Sequence, residues 1–180
     1  MDAIKCLRER RSVRKFADKA VDPELIKSIV ETASYAPSWK HTQITRYIAV
    51  TGELKDKIGK GCYSAYAHNG EIACNAPVLM AVCVKEGRSG FERDGSFSTD
   101  KGDRWQNFDA GVATQTFCLA AHEAGLGTVI QGIFDEAEAS VMLGLPEDMQ
   151  LMCLIPMGYP AEEPICPKRK AVDDLLTFME

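Results

Sequence analysis

The alternation of apolar and polar positions along the chain predicts a series of helices and strands. Asp2 can cap a first helix that runs to about Arg11. In the stretch "DPELIKSIVETASYAP", Asp22 is the predicted N-cap of a second helix and Pro23 lies in its first turn. The apolar face of this helix consists of Leu25, Ile26, Ile29, Val30 and Ala33. The chain must leave the helix before Pro37, because the residue before a proline avoids the helical conformation.

Further along, apolar stretches predict strands. "RYIAV" (46–50) and "PVLMAVCV" (77–84) read as strands, "LGTVIQG" (126–132) as a short strand or extended segment, and "MQLMCLIPMGYP" (149–160) as a buried strand that ends in a turn. The longest uninterrupted apolar run covers residues 76–84. Such a run is too short to span a bilayer but is typical of a buried strand, so we expect no membrane association.

A long helix is predicted from near Asp103 to a C-cap at Gly125. We expect part of its surface to serve the core, through Phe108, Val112, Phe117, Leu119 and Ala120. Asp135 and Glu138 have the spacing of a capping box for the short helix that follows.

Residues 85–104, "KEGRSGFERDGSFSTDKGDR", contain four glycines and almost no aliphatic residues. A polar connection of this length is usually either disordered or a functional lid. Phe91 and Phe97 are unusual in a plain linker, which favours a lid near a ligand.

The composition indicates one ordinary globular domain that covers residues 1–180, with 46% hydrophobic and 26% charged residues. No apolar signal-peptide segment follows the basic residues at the N-terminus. The seven cysteines are scattered and form no Cys-x-x-Cys motif. Several have apolar neighbours, as small core residues in a reducing cytosol would. We therefore predict a cytoplasmic protein without a disulfide framework or a metal site.

Positive charge is concentrated at the start of the chain. The net charge is −5, yet residues 1–20 contain seven lysines and arginines and three acidic residues, which leaves −9 for the rest. "RRSVR" (10–14) offers guanidinium groups and a hydroxyl that suit a phosphate monoester, and "PKRK" (167–170) supplies a second basic cluster. Each cluster taken singly could be a solvated face, or could complement a helix dipole. The acidic net charge and the lack of interleaved aromatic residues argue against nucleic-acid binding.

Common catalytic and nucleotide-binding motifs are absent. "GLGTVIQG" lacks the third glycine of the dinucleotide fingerprint and follows a helix rather than a strand. The chain has no phosphate-binding P-loop, no zinc-protease helix and no Gly-x-Ser-x-Gly elbow, and its histidines are too dispersed for a metal cluster. Hydrolytic chemistry therefore has little support.

Five segments in order resemble the nitroreductase family of FMN-dependent oxidoreductases. They are "RRSVRKF", "ETASYAPSWKHTQ", "DRWQNFDAGVATQTFCLAAHEAGLGTV", "IQGIFDEAEASVMLGLPEDMQLMCLIPMGYP" and "PKRK". The resemblance covers nearly the whole chain. It implies an α+β fold, in which helices flank a central, mostly antiparallel sheet. It also implies an intertwined homodimer with two FMN molecules at the interface, each contacted by both subunits.

The resemblance also implies the residues of the site. Arg10, Arg11, Ser12 and Arg14 would contact the phosphate and the pyrimidine side of FMN, where a cation favours the reduced ring. Lys168 and Arg169 would close over the phosphate, and the partner subunit would lay its Pro37, Ser38 and Trp39 against the flavin. Val129, Ile130, Gln131 and Gly132 would run under the ring, with a backbone N–H near Gly132 facing flavin N5. Gln43 keeps the family residue, whereas His41 replaces the usual asparagine and could alter a polar contact near the ribityl chain or simply lie at the surface.

The implied activity is a ping-pong oxidoreductase reaction. NADH or NADPH would deliver hydride to flavin N5, and a nitro compound, quinone or similar small electrophile would then accept the electrons. No side chain would serve as a nucleophile. Within the same fold, the alternatives are a reductive dehalogenase or a flavin-cleaving enzyme, and outside enzymes the alternative is a flavin-binding or storage protein.

Overall fold

A four-stranded antiparallel sheet forms the centre of the fold, seen in a computed structural model that describes residues 2–180. Its strands are β1 (Thr45–Val50), β2 (Val78–Lys85), β3 (Gly127–Thr128) and β4 (Met149–Gly158), arranged in the order β1-β2-β4-β3. The two longest strands, β2 and β4, lie in the middle, and all but the last residue of β2 is buried. The predicted α+β class with a mostly antiparallel sheet is confirmed.

Six α-helices surround the sheet within the described part of the chain: α1 (Ala3–Glu9), α2 (Pro23–Ala33), α3 (Gly52–Gly61), α4 (Ala67–Asn75), α5 (Arg104–Glu123) and α6 (Glu136–Leu143). Short 3-10 turns cover Trp39–His41 and Val172–Asp174. No helix within residues 2–180 combines the length and apolar character that crossing a bilayer requires.

The predicted helix starts are confirmed by their capping hydrogen bonds. The carboxylates of Asp2, Asp22 and Asp135 accept from backbone N–H groups in the first turns of α1, α2 and α6. Only half of the predicted capping box at Asp135 forms. Its own N–H donates instead to the carbonyl of Cys62, and this bond attaches the start of α6 to the end of α3.

Helices α3 and α4 were not predicted from the sequence. Their sequences are polar and contain glycines, which are poor helix formers, so they did not indicate helices. The two helices approach each other at these glycines. A Cβ on Gly70 would lie 2.3 Å from the carbonyl oxygen of Gly59, and one on Gly59 would lie 2.5 Å from Cys74 Sγ. Close packing thus compensates for the poor helix propensity of glycine.

The sheet separates two apolar cores, because successive residues of β2 point to opposite faces. Val78, Met80 and Val82 pack with α2 and α5, while Leu79, Ala81 and Cys83 pack with α3 and α4. As expected, most of the cysteines are core residues; those buried are Cys6, Cys62, Cys83, Cys118 and Cys153. All seven cysteines are free thiols.

The prediction of a core role for Phe108 is wrong. Its side chain is 61% exposed, whereas Phe117 is fully buried and Val112, Leu119 and Ala120 are half-buried. Apolar residues occur all around α5, so its sequence defines no single inward face. The buried face of α5 instead includes small and polar residues, among them Gln106, Asp109 and Thr114.

Candidate functional site

The basic N-terminal segment is an extended arm (residues 10–17) beside the sheet. Ser12 forms a parallel bridge with Thr128 of β3, and the N–H of Val13 donates to the carbonyl of Thr128 at 3.0 Å. Farther along, Phe16 bridges Pro160, just beyond the end of β4. The arm therefore extends the sheet and carries its arginines to the β3 edge.

The C-terminal tail returns to the same arm. The N–H of Ala161 donates to the carbonyl of Lys15 at 3.0 Å, and Lys15 Nζ lies 3.4 Å from a Glu162 carboxylate oxygen. The guanidinium of Arg11 donates to Cys166 Sγ at 2.7 Å. Lys168 and Arg169 follow Cys166 by two and three residues, so the two basic ends of the chain meet at this point. Both side chains are exposed.

The stretch after β3 is held firmly by Gln131. Its backbone N–H and carbonyl both pair with Leu154 of β4, at 2.8 and 3.1 Å. Its side chain, which is 2% exposed, accepts from the Tyr63 hydroxyl at 2.6 Å and donates to the carbonyl of Asn69 at 3.0 Å. Burial raises the pKa of Tyr63, so its hydroxyl remains a donor at neutral pH. The predicted site residue Gln131 is therefore an internal anchor whose side chain faces away from solvent.

Buried and exposed residues alternate along the stretch that contains Gln131. Val129 is buried, Ile130 is 49% exposed, and Gly132 is exposed. No atom lies within 4 Å of a Cβ built on Gly132, and its backbone angles are accessible to other residues. Nothing among residues 2–180 requires a glycine at this position, and an open backbone there allows a ligand to approach closely. We call the arm, residues 127–132 and residues 161–169 the clamp.

Arg14 also belongs to the arm but points to a different environment. It is exposed and lines a cavity of about 680 Å³ together with Lys55, Asn75 and Pro77. Lys55 is buried and occupied by internal contacts with Asp56 and the carbonyl of Ala73, so it contributes to the fold. Arg14 makes no hydrogen bond or ion pair among the described residues.

The loop of residues 37–43 lies apart from the clamp. It forms part of the lining of a largely apolar cavity of about 730 Å³ between α2 and β1. Its backbone is unusual, because Lys40, His41 and Gln43 have positive φ angles of 43°, 57° and 48°. The side chains of His41 and Gln43 contact each other, with their Nε2 atoms 2.9 Å apart. Ser38 Oγ accepts from the Gln43 N–H at 3.0 Å and closes the loop.

The loop packs against the first turn of α5 through aromatic rings, and residues 85–104 contact the loop through polar side chains. Trp39 and Trp105 have ring centroids 4.6 Å apart, and Trp105 contacts Phe108 at 5.5 Å. Phe91 and Phe97 pair with each other at 5.0 Å. Lys40 Nζ also lies 2.7 Å from a carboxylate oxygen of Glu92. The loop, residues 85–104 and the first turns of α5 form one assembly, which we call the aromatic unit (residues 37–43 and 85–108).

Asp109, which the sequence analysis did not identify, holds this unit together. Its side chain is 3% exposed and accepts from the backbone N–H of Trp39 at 3.0 Å through both carboxylate oxygens. The Ser89 hydroxyl donates to the same carboxylate at 2.5 Å. In the sequence, Asp109 is one polar residue of a long helix. Its role in fixing the loop is visible only in the folded chain, where its carboxylate lies next to Trp39, 70 residues away in sequence.

The clamp and the aromatic unit are separate in a single chain. Among residues 2–180, no hydrogen bond, ion pair or ring contact joins the 37–43 loop to the arm, to residues 129–132 or to the tail. The structure thus brings the arm, residues 127–132 and residues 161–166 together at the β3 edge, while Pro37, Ser38 and Trp39 lie apart from them. No group of three or more metal-ligating side chains occurs within this described part of the chain.

Comparison with known proteins identifies the family. A family model described as the nitroreductase family matches residues 7–159. The chain belongs to this family. A protein of Methanothermobacter thermautotrophicus, named provisionally as an NADH dehydrogenase/NAD(P)H nitroreductase, is 34% identical over 91% of this chain and 80% of its own length. Human iodotyrosine deiodinase 1 is 27% identical over 94% of this chain and 66% of its own length.

Solved structures support the same fold. A nitroreductase family protein from Streptococcus pneumoniae superposes with a TM-score of 0.86 at 22% identity, covering 99% of this chain and all of that one. At this level of identity the likeness concerns the fold alone. The nitroreductase family assignment and the α+β fold agree with each other and with the resemblance read from the sequence.

Proposed function

We propose that the protein is an FMN-dependent oxidoreductase that uses NADH or NADPH to reduce small electrophiles. The observation that carries the proposal is the clamp, in which the arm, the stretch around Gly132 and the basic tail converge at one edge of the sheet. The family supports an oxidoreductase, and the name of the archaeal relative points to a nicotinamide cofactor.

The residues of the clamp fit the chemistry of FMN. Arg10, Arg11 and Ser12 are half-buried beside β3, and guanidinium and hydroxyl groups are suited to a phosphate monoester. Lys168 and Arg169 lie within three residues of the Arg11–Cys166 contact and add positive charge at the same end. Gly132 offers a backbone without a side chain, as close approach of a flat ring requires.

Bound FMN would supply hydride-transfer chemistry between the nicotinamide and the electron acceptor. The chain binds and orients the cofactor: the arginines neutralise its phosphate, and Gln131 fixes the backbone of Ile130 and Gly132 against the ring. In this proposal Arg14 would contact the pyrimidine side, although in a single chain it lines the cavity beside Lys55. None of these roles needs a nucleophilic side chain, and protons can come from water.

We propose a homodimer as the active form. A single chain separates the clamp from Pro37, Ser38 and Trp39, so it holds only half of the proposed site. It also exposes apolar side chains that a partner could cover. Those with more than half of their surface exposed include Phe108 and, in the tail, Ile165, Val172, Leu175, Leu176, Phe178 and Met179. An obligate interface is typically large and apolar in this way.

Reductive dehalogenation is a second candidate function. Several relatives are named iodotyrosine deiodinases, and they align with more than nine-tenths of this chain. Residues 85–104 would decide between the candidates, because in our proposal they act as a lid over the acceptor side of the site. His41 contacts Gln43 in the loop and would tune a polar contact near the ribityl chain.

The test begins with the purified protein. We expect visible flavin absorption bands, about one FMN per chain, and oxidation of NADH or NADPH when a simple quinone is added. Titrations with the two nicotinamides measure the preference between them, and an iodinated tyrosine in place of the quinone tests the second candidate. A dimer that binds no flavin would contradict the proposal, and a flavin-loaded dimer without turnover would indicate a storage protein. The buried thiols suit a reducing cytoplasm, where we expect the protein to reside.

A further inference from the structure

The end of α3 holds the stretch after β3 through three contacts. The Tyr63 hydroxyl donates to Gln131 Oε1 at 2.6 Å, and the carbonyl of Cys62 accepts from the Asp135 N–H at 2.6 Å. Between these two bonds, the rings of Tyr63 and Phe134 have centroids 6.3 Å apart. The stretch from Gln131 to Asp135 is therefore fixed at both ends to two successive residues at the end of one helix.

The bond between Tyr63 and Gln131 is shielded from water, since both side chains are 2% exposed. The carboxamide of Gln131 also donates to the carbonyl of Asn69 at 3.0 Å, so both of its polar groups have partners inside the protein. Its backbone pairs in both directions with Leu154. With its side chain and its backbone both bound, Gln131 has little freedom to move, and the residue that follows it starts from a fixed point.

Gly132 follows directly and lies in the opposite environment. It is exposed, and a Cβ built on it would meet no atom within 4 Å. Its backbone N–H makes no hydrogen bond among residues 2–180. An open N–H group next to a firmly held residue is a donor of defined position, available to a ligand that carries an acceptor.

We infer that Tyr63 is a positioning residue for the cofactor: through the side chain of Gln131 it holds the Gly132 N–H where N5 of oxidised FMN can accept from it. The inference rests on the proposed function, in which this stretch of backbone lies against the flavin ring. N5 of the oxidised ring has a lone pair, whereas N5 of the reduced ring carries a hydrogen, so a fixed donor favours the oxidised form. Tyr63 thus influences the balance between the two forms from a buried position behind Gln131.

A conservative variant separates the hydroxyl from the rest of the side chain. Tyr63→Phe removes the hydroxyl and keeps the ring that contacts Phe134. The buried Gln131 Oε1 then has no donor, so the side chain and the backbone after it should shift. Tyr66→Phe is the matched control, because Tyr66 is 48% exposed and its hydroxyl makes no hydrogen bond among the described residues.

Two ligands test the N5 contact by binding alone. 5-Deaza-FMN has a C–H group in place of N5 and therefore lacks the acceptor, but it keeps the phosphate and the rest of the ring. We expect the wild-type protein to bind FMN about fivefold more tightly than 5-deaza-FMN, as one neutral hydrogen bond allows. Tyr63→Phe should weaken FMN by about threefold and leave the affinity for 5-deaza-FMN unchanged. Tyr66→Phe should match the wild type with both ligands.

The midpoint potential of the bound flavin is an independent readout. If oxidised FMN binds about threefold more weakly and reduced FMN binds as before, the potential of Tyr63→Phe rises by about 14 mV, because a tenfold change corresponds to about 30 mV for two electrons. A purely structural role of Tyr63 would weaken both redox forms and both ligands equally. The potential would then equal that of the wild type.

The outcomes that overturn the inference are specific. They are an unchanged FMN affinity in Tyr63→Phe, equal losses for FMN and 5-deaza-FMN, or an unchanged potential. Where Tyr63→Phe does not fold, the double variant Tyr63→Phe with Gln131→Met takes its place, since it leaves no side-chain carboxamide buried without a donor. Wild-type protein that bound no FMN would contradict the proposed function as well as this inference. Wild-type protein that bound FMN and 5-deaza-FMN equally would contradict the inference alone.

Discussion

The clamp and the aromatic unit are built by different interactions. The clamp is held by backbone pairing: Ser12 bridges Thr128, Phe16 bridges Pro160, and Gln131 pairs with Leu154. The aromatic unit is held by the buried Asp109 carboxylate, which accepts from the Trp39 backbone N–H and the Ser89 hydroxyl, and by ring contacts. Backbone pairing holds the arm without using the side chains of Arg10 and Ser12, whereas the aromatic unit depends on side chains such as Asp109 and Ser89 to hold its shape. The clamp should therefore tolerate changes of functional side chains, and the unit should not.

Adding a side chain at Gly127 should have the largest effect on stability, because it would disrupt the backbone pairing between the arm and β3. A Cβ there would lie 2.6 Å from Cβ of Val13 in the arm, an atom that moves only with its backbone. We expect Gly127→Val to lower the free energy of unfolding by about 3 kcal/mol and to displace the arm from β3. Chemical denaturation measures the first effect. Unchanged stability would show that the arm is not packed as described.

Removing a functional cation should affect binding and spare the fold. Arg169→Ala should weaken FMN by about ten- to a hundredfold, the roughly 1.5–3 kcal/mol of a lost charge-assisted hydrogen bond. Riboflavin lacks the phosphate, so the variant should discriminate less between FMN and riboflavin than the wild type does. Lys170→Ala is the matched control with the same loss of charge one residue away. Equal losses in the two variants would indicate a diffuse charge effect and no specific role for Arg169.

Within the aromatic unit, buried and exposed links should differ. Ser89→Ala removes a fully buried hydroxyl that contacts both Asp109 and Thr42, and should cost about 1–2 kcal/mol of stability. Lys40→Ala removes the exposed contact with Glu92, and solvent screening should make its effect on unfolding unmeasurable. Thermal unfolding of the two variants side by side checks this order. A larger loss in Lys40→Ala would show that the surface pair holds the unit.

Gly132→Ala offers a matched contrast to Gly127, since the space around it is open. We expect no loss of stability, but about fivefold weaker FMN binding, or about 1 kcal/mol, because the methyl group meets the ring. Isothermal titration with FMN and a denaturation curve on the same sample separate the two effects. FMN affinity equal to that of the wild type would remove Gly132 from the ring contact.

The smallest effect concerns His122, which lies at the end of α5 behind the arm. Its Nε2 is buried without a hydrogen-bond partner among residues 2–180. Burial lowers the pKa of His122 below the usual value, Glu9 raises it by a smaller amount, and Arg10 lowers it slightly further. The unfolded chain then binds a proton at higher pH than the folded one, so stability should fall as the pH drops below about 6.5. His122→Gln should flatten this part of the stability curve. An identical slope in both proteins would assign the pH dependence to other groups.

The local features and the chemistry of the chain ends could be predicted from the residues alone. The aspartate caps, the main strands and the basic segments could be predicted because they depend on neighbouring residues. The resemblance of five segments also led to the right family. These features need no knowledge of what lies across the fold.

How those parts are arranged in space depends on packing between elements that are distant in the sequence. Helices α3 and α4 form because Gly59 and Gly70 allow close packing, and Phe108 faces outward because α2 covers another side of α5. Asp109 accepts from Trp39, 70 residues away, and Arg11 meets Cys166 across 155 residues. Such contacts leave no periodic signal in the chain, since each depends on how separate elements pack. The separation of the clamp from the aromatic unit, on which the proposed shared site depends, is therefore a property of the fold.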